Sequence, residues 1–166
     1  YEISACLVGS EMCIRDSIKG VLPVLLYLRM TRGNIDAYFA PVLAAPVLGH
    51  IFPVFYRFKG GKGIAVSFGC LLGMLPVSQP LLTLAVIYVV LSVGICVSPH
   101  YYRTIVTYTL FAAVTALYNS RFNVSVGITL GCLFISVLII YRHLKSREAK
   151  QKFTVSFAPL QFLIRR

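Results

Sequence analysis

Apolar residues dominate this chain in long blocks, and the polar residues gather at the block ends. From Gly63 to Tyr102, 40 residues pass without a Lys, Arg, Asp or Glu. One helical crossing of a bilayer takes about 20 apolar residues, so this run predicts two spans, or one span and a re-entrant piece. Pro76-Val77-Ser78-Gln79-Pro80 divides it into a short segment, Gly63–Leu75, and a fuller one, Leu81–Val97. The other apolar blocks are Ile18–Met30, Ala37–Tyr56, Thr104–Tyr118 and Val124–Tyr141. Pro41, Pro46 and Pro53 predict a kinked helix in the second of these, because proline removes a backbone donor and crowds the preceding turn. Turns are expected at Arg29–Asp36, Ser98–Arg103 and Asn119–Asn123. The expected fold class is all-α: a polytopic integral membrane helix bundle with about six apolar segments.

Composition sharpens this picture. Of 166 residues, 58% are hydrophobic and only 13% charged, with a mean hydropathy of +0.81. A soluble domain carries about 25% charged residues. The net charge of +11 would suit nucleic acid, but no aromatic and basic residues interleave on a soluble surface. The positive-inside rule explains the charge instead. With residues 57–62 and the C-terminal tail on the cytoplasmic side and four crossings between them, thirteen Lys and Arg face the cytoplasm. Only Arg29, Arg32 and Arg121 fall outside. Five cysteines (Cys6, Cys13, Cys70, Cys96, Cys132) contain no C-x-x-C pair; neither a disulfide framework nor a metal site is implied. An apolar stretch around Phe153–Ile164 in the basic tail is expected to lie on the membrane surface.

The most informative stretch is Gly49-His50-Ile51-Phe52-Pro53-Val54-Phe55-Tyr56-Arg57-Phe58-Lys59-Gly60-Gly61-Lys62-Gly63-Ile64-Ala65. Three glycines and two lysines occupy five consecutive positions, 59–63. Glycine lets a backbone turn tightly and approach a ligand closely. Successive N–H groups in such a turn can form an anion-binding nest, and lysine adds a mobile point charge suited to phosphate. The plain alternative is a basic interfacial loop that only anchors the chain. The run G-H-x-F-P-x-F-x-x-F-K-G-G-K-G-[VI]-A resembles the second signature of the bacterial acyl-phosphate:glycerol-3-phosphate acyltransferases, the PlsY family. Asp16-Ser17-Ile18-Lys19-Gly20 matches that family's D-x-x-K-G pattern. Arg142 and His143 match the start of its third signature, R-H-x-x-N-I-x-R. Ser146, Arg147 and Ala149 depart from it, and no G-x-E follows.

The resemblance implies transfer of an acyl group from acyl phosphate to the 1-hydroxyl of glycerol 3-phosphate, giving lysophosphatidic acid. Such a donor is already activated, so no cofactor is expected; the expected partners are the two substrates and membrane lipids, without nucleic acid. Catalysis then means holding two phosphorylated groups together and stabilising developing charge. The resemblance assigns phosphate binding to Lys59, Gly60, Gly61, Lys62 and Gly63, with Lys19 as a second cation. The alternative for Lys19 is a lysine snorkelling from a helix end. His50 is an ionisable group in an apolar run, which makes it a functional candidate. It would orient a phosphate or accept the hydroxyl proton, unless it only caps a carbonyl freed by the proline kink. His143 is the second catalytic candidate. His100 reads as an interfacial loop residue. Two rivals from other classes are a transporter or channel subunit with an anion-sensing loop, and a non-catalytic scaffold that binds anionic lipid. The first would need a polar path across the bilayer, which the uncharged spans after Gly63 lack.

Residues 1–17 differ from the rest. They hold three of the five acidic residues and no membrane-length apolar run. Leu7-Val8-Gly9-Ser10-Glu11-Met12-Cys13-Ile14-Arg15-Asp16 resembles a recurrent translation of sequencing-adapter DNA. A non-native scar is therefore expected at 1–17, with a genuine short leader as the alternative. The expected division is 18–141 as the membrane acyltransferase domain and 142–166 as a basic cytoplasmic tail. The family's first signature has no counterpart in the chain, so the fragment is expected to be inactive.

Overall fold

A computed structural model of the protein describes residues 2–54, 57, 58, 60–75, 77, 79–98, 100–122, 125–145 and 154–157. The described residues form six α-helices: α1 (Glu2–Met30), α2 (Phe39–Ile51), α3 (Ile64–Leu72), α4 (Gln79–Val89), α5 (His100–Phe122) and α6 (Val126–Leu144). The helical fold class is as the hydropathy pattern predicts. One short antiparallel ribbon was not anticipated: β1 (Ile95–Ser98) pairs with β2 (Thr154–Phe157), Ile95 opposite Phe157 and Ser98 opposite Thr154.

Element ends correct several expectations. α1 runs without a break through the 17/18 boundary. α2 stops at Ile51, two residues before Pro53, as the restriction on residues preceding proline favours. The span expected over Leu81–Val97 divides into α4, a π-helical stretch Val90–Gly94 and β1. The turns expected at 98–103 and 119–123 are largely absorbed by α5, which begins at His100 and runs 23 residues to Phe122. α6 carries Arg142 and His143 in its last turn. Of the apolar tail stretch, only Thr154–Phe157 is described, and it forms β2.

Helical spacing builds the core. Phe39, Leu43, Val47 and Ile51 line one face of α2; Ile128, Cys132, Ile135 and Ile139 line one face of α6. Both stripes are buried with Val66, Cys70 and Leu71 of α3 and with Tyr108 and Phe111 of α5. The opposite faces are apolar as well. On α6, Phe134 and Val137 are 55% and 63% exposed. Apolar residues all round a helix suit a lipid environment. α6 is the one described helix whose length and hydropathy suffice to cross a membrane; α2 and Gln79–Ser92 are shorter apolar helices.

Glycines set the closest helix contacts. Gly69 on α3 and Gly73 at its C-terminal cap, and Gly127 and Gly131 on α6, each have the G-x-x-x-G spacing that lets membrane helices approach backbone to backbone. A Cβ on Gly69 would overlap the Ser17 carbonyl oxygen of α1, and one on Gly127 the Asp36 carbonyl oxygen. Gly20 answers from α1: a Cβ there would overlap the Val66 carbonyl oxygen of α3. The Ser17 hydroxyl donates within reach of the Ala65 carbonyl, 3.1 Å away. α1 is thus pressed onto α3, and α2 onto α6. That places one face of α1 beside the C-terminal end of α2.

Candidate active site

His50 lies in the last turn of α2, and the chain after it folds back on that turn. Phe58 N–H donates to the Pro53 carbonyl at 3.1 Å, and Gly61 N–H to the His50 carbonyl at 3.3 Å. Arg57 and Phe58 hold left-handed conformations, φ 52° and 59°, which reverse the chain in few residues. Gly60 is required where the returning strand meets the helix end: a Cβ there would overlap the His50 carbonyl oxygen. Gly61 sits against the His50 ring, and a Cβ on it would overlap Nε2. Gly63 caps α3 at φ 81°, a conformation costly for any other residue. The Gly-rich stretch is therefore a folded bridge between α2 and α3, not a flexible linker.

Between this bridge, α2 and α1 opens a cleft of about 850 Å³. Asp16, Lys19, His50, Gly60 and Gly61 line it together with the apolar Met12, Pro23, Val42 and Pro46. Asp16 and Lys19 are three residues apart on one face of α1, and Lys19 Nζ donates to Asp16 Oδ1 at 2.9 Å. The same oxygen lies 3.7 Å from His50 Nδ1. The Lys19 side chain is 62% exposed, so this pair adds little to fold stability. Its effect is to place a cation, a carboxylate and an imidazole together in one cleft.

Arg142 completes the frame from α6. Its Nη2 donates to the Gly60 carbonyl at 2.8 Å and its Nε to the Gly61 carbonyl at 3.3 Å. The guanidinium thus bridges two successive peptides of the bridge.

The structure brings together Lys19, His50, Gly60 and Gly61 of the residues expected at the site. Gly63 and the exposed Lys62 follow directly along the chain. Lys59 lies outside the described residues. His143 is not a lining residue of the cleft. It is 2% exposed, and its Nδ1 lies 2.9 Å from the Ile139 carbonyl one turn back in α6. Two residues had a sequence signal but no assigned role. Asp16 opens the D-x-x-K-G pattern and pairs with Lys19 inside it, and Arg142 opens the partial third signature; the contacts of Asp16 with His50 and of Arg142 with Gly60 and Gly61 span long stretches of sequence, so neither pattern shows them.

A family model described as glycerol-3-phosphate acyltransferase matches residues 4–149. The chain belongs to the glycerol-3-phosphate acyltransferase family. It is 37% identical over 156 residues to the glycerol-3-phosphate acyltransferase of Shewanella loihica, covering 89% of this chain and 70% of that protein. It is 35% identical over 144 residues to that of Neisseria meningitidis serogroup C, covering 81% and 68%. Among solved structures it is similar to PlsY, an integral membrane glycerol 3-phosphate acyltransferase, in its lysophosphatidic acid form. The TM-score is 0.66 at 26% identity, covering 86% of this chain and 66% of that one. The glycerol 3-phosphate form of PlsY matches with a TM-score of 0.69 at 24% identity, covering 94% and 74%, and supports the fold. Membership of this acyltransferase family makes the chain a membrane enzyme by descent and sets aside the transporter and scaffold readings.

Proposed function

We propose that the cleft binds glycerol 3-phosphate and an acyl phosphate and transfers the acyl group to the 1-hydroxyl, releasing phosphate and lysophosphatidic acid. The observation that carries this reading is the presence of a glycine bridge, a cation and apolar side chains in one cleft. The bridge at Gly60 and Gly61, with Lys19 lining the same cleft, suits a phosphate; Pro23, Val42 and Pro46 suit an acyl chain. Lys59, Lys62 and Gly63 belong to the same phosphate-binding stretch in this reading.

In the reaction, the glycerol oxygen attacks the acyl carbonyl carbon, and a tetrahedral oxyanion forms. The bond from that carbon to the phosphate oxygen then breaks, and phosphate leaves with the electron pair. The hydroxyl proton passes to a base. In this reading His50 takes that proton or orients phosphate; what supports it is that its Nδ1 lies 3.7 Å from the Asp16 carboxylate and its ring rests against Gly61. A carboxylate beside one imidazole nitrogen favours the proton there and leaves the other nitrogen as the acceptor. His143, buried within α6, supports the helix end in this scheme.

The membrane orientation completes the proposal. The helices cross the inner membrane several times, with the cleft on the cytoplasmic side, where the basic residues concentrate. In this reading the membrane acyltransferase domain covers residues 18–141 and a basic cytoplasmic tail follows over 142–166. Sequencing the genomic region upstream of Ile18 checks whether residues 1–17 are the native approach to α1. The function is tested by supplying membranes containing the chain with acyl phosphate and radiolabelled glycerol 3-phosphate. Labelled lysophosphatidic acid dependent on acyl phosphate supports the reading. Substrate binding without product would match a chain that lacks the family's first signature. Absence of both binding and product would remove it.

A further inference from the structure

Arg142 lies in the last turn of α6, 81 and 82 residues away in sequence from the two carbonyls it contacts. We propose that Arg142 is a positioning residue whose guanidinium fork fixes the Gly60 and Gly61 peptide planes and so pre-forms the phosphate site. This rests on the phosphate reading of the cleft. In a trans peptide the N–H points away from the carbonyl of the same unit. Holding both carbonyls on the Arg142 side therefore turns the N–H groups of Gly61 and Lys62 to the other side. The Gly61 N–H is taken by the His50 carbonyl, so this peptide is held at both edges, by α6 and by α2.

The fork also sets the wall behind His50. Gly61 is in contact range of the imidazole, so a shift of the bridge moves the surface against which the ring rests. The anchor itself is rigid. α6 lies on α2 through Gly127 and Gly131, where a Cβ on Gly131 would come 2.6 Å from Leu43 Cδ1. Arg142 is therefore delivered to the bridge from a helix that cannot slide past α2 freely. A basic residue placed only by the positive-inside rule needs no such partners, and lysine would serve equally. A fork onto two adjacent carbonyls needs arginine, because the planar guanidinium presents donors in fixed directions and an ammonium presents a point charge.

The test uses the full 166-residue chain in detergent. Binding of glycerol 3-phosphate and of inorganic phosphate is measured by calorimetry, with thermal unfolding followed on the same samples. Wild type, Arg142→Lys and Arg142→Ala are compared, the last with and without millimolar methylguanidinium. The expected result is a loss of affinity for both ligands of roughly tenfold or more in Arg142→Lys as well as Arg142→Ala. Methylguanidinium restores part of the affinity in Arg142→Ala and does nothing to wild type. Full affinity in Arg142→Lys would reduce Arg142 to its charge and overturn the proposal. Parallel loss of folding and binding in both variants, without rescue, would assign it to stability and overturn it as well. Failure of wild type to bind either ligand would instead remove the phosphate reading beneath it.

Discussion

Asp16 Oδ1 lies 3.7 Å from His50 Nδ1 and accepts Lys19 Nζ at 2.9 Å. One carboxylate oxygen thus stands between the cation of α1 and the imidazole of α2. At 3.7 Å the His50 contact is an ion-pair distance and not a hydrogen bond. In enzymes such contacts tighten when substrate is bound. In the proposed reaction Lys19 and the bridge would face phosphate, and His50 would take the proton.

Asp16→Asn removes the charge and keeps the size. The lost charge-assisted contact at His50 corresponds to about 1.5–3 kcal/mol in the transition state. In a chain carrying the family's first signature, turnover should therefore fall roughly 10- to 100-fold, with little change in thermal stability, because Lys19, the nearer partner, is 62% exposed and screened by solvent. Acyl-transfer rates and unfolding curves on the same preparation check this. A drop in stability with unchanged turnover would make Asp16 a structural residue.

Lys19→Ala and Lys62→Ala each remove a cation from the proposed phosphate side. Apparent affinity for glycerol 3-phosphate or acyl phosphate should weaken by about tenfold or more in at least one of them. Titration with both ligands distinguishes which cation serves which phosphate. If both variants bind like wild type, the cations only anchor the chain at the membrane surface.

The three glycines of the bridge are expected to separate by mechanism. Gly63→Ala must hold a left-handed φ of 81°, costing roughly 1–2 kcal/mol, and should lower stability. Gly61→Ala pushes into the His50 ring, a side chain that can move aside. It should depress turnover more than stability. Gly60→Ala meets the His50 backbone and should lower both. Nearly silent substitutions at all three positions would restore the flexible-linker reading.

Gly20→Ala addresses the α1–α3 contact. Its methyl group meets backbone on α3, with Cys70 N only 2.7 Å from the added carbon. Overpacking of this kind costs about 1–3 kcal/mol, which lowers Tm by roughly 2–12 °C in a chain of this size. Gly49→Ala is the control for stability, since nothing lies within 4 Å of its added carbon and alanine favours helix over glycine. Equal Tm values for the two variants would mean that α1 is not packed on α3 as described.

The sequence by itself determined the class of protein and the neighbourhood of its chemistry. Long uncharged blocks leave a helical membrane fold as the physical solution, because backbone polar groups in lipid must be paired within the element. The density of glycine and lysine at 59–63 marked the bridge, since few other reasons collect those residues between apolar helices. His50 was legible for the same reason: an ionisable group is costly in an apolar run.

What the tertiary structure decided is which distant residues meet. Gly20 and Gly69 have no side chains to signal a partner, yet their close approach brings Asp16 and Lys19 to His50. Arg142 and His143 are adjacent and match one signature equally well. Helical rotation turns the first onto the Gly60 and Gly61 carbonyls and buries the second, because successive residues on a helix point about 100° apart. The span expected at Leu81–Val97 failed on similar grounds. Hydropathy gives length and polarity but not the pairing of β1 with β2, which depends on a strand nearly sixty residues further along the chain. Local pattern fixes what each segment can bury; only packing fixes which polar groups are left facing one another.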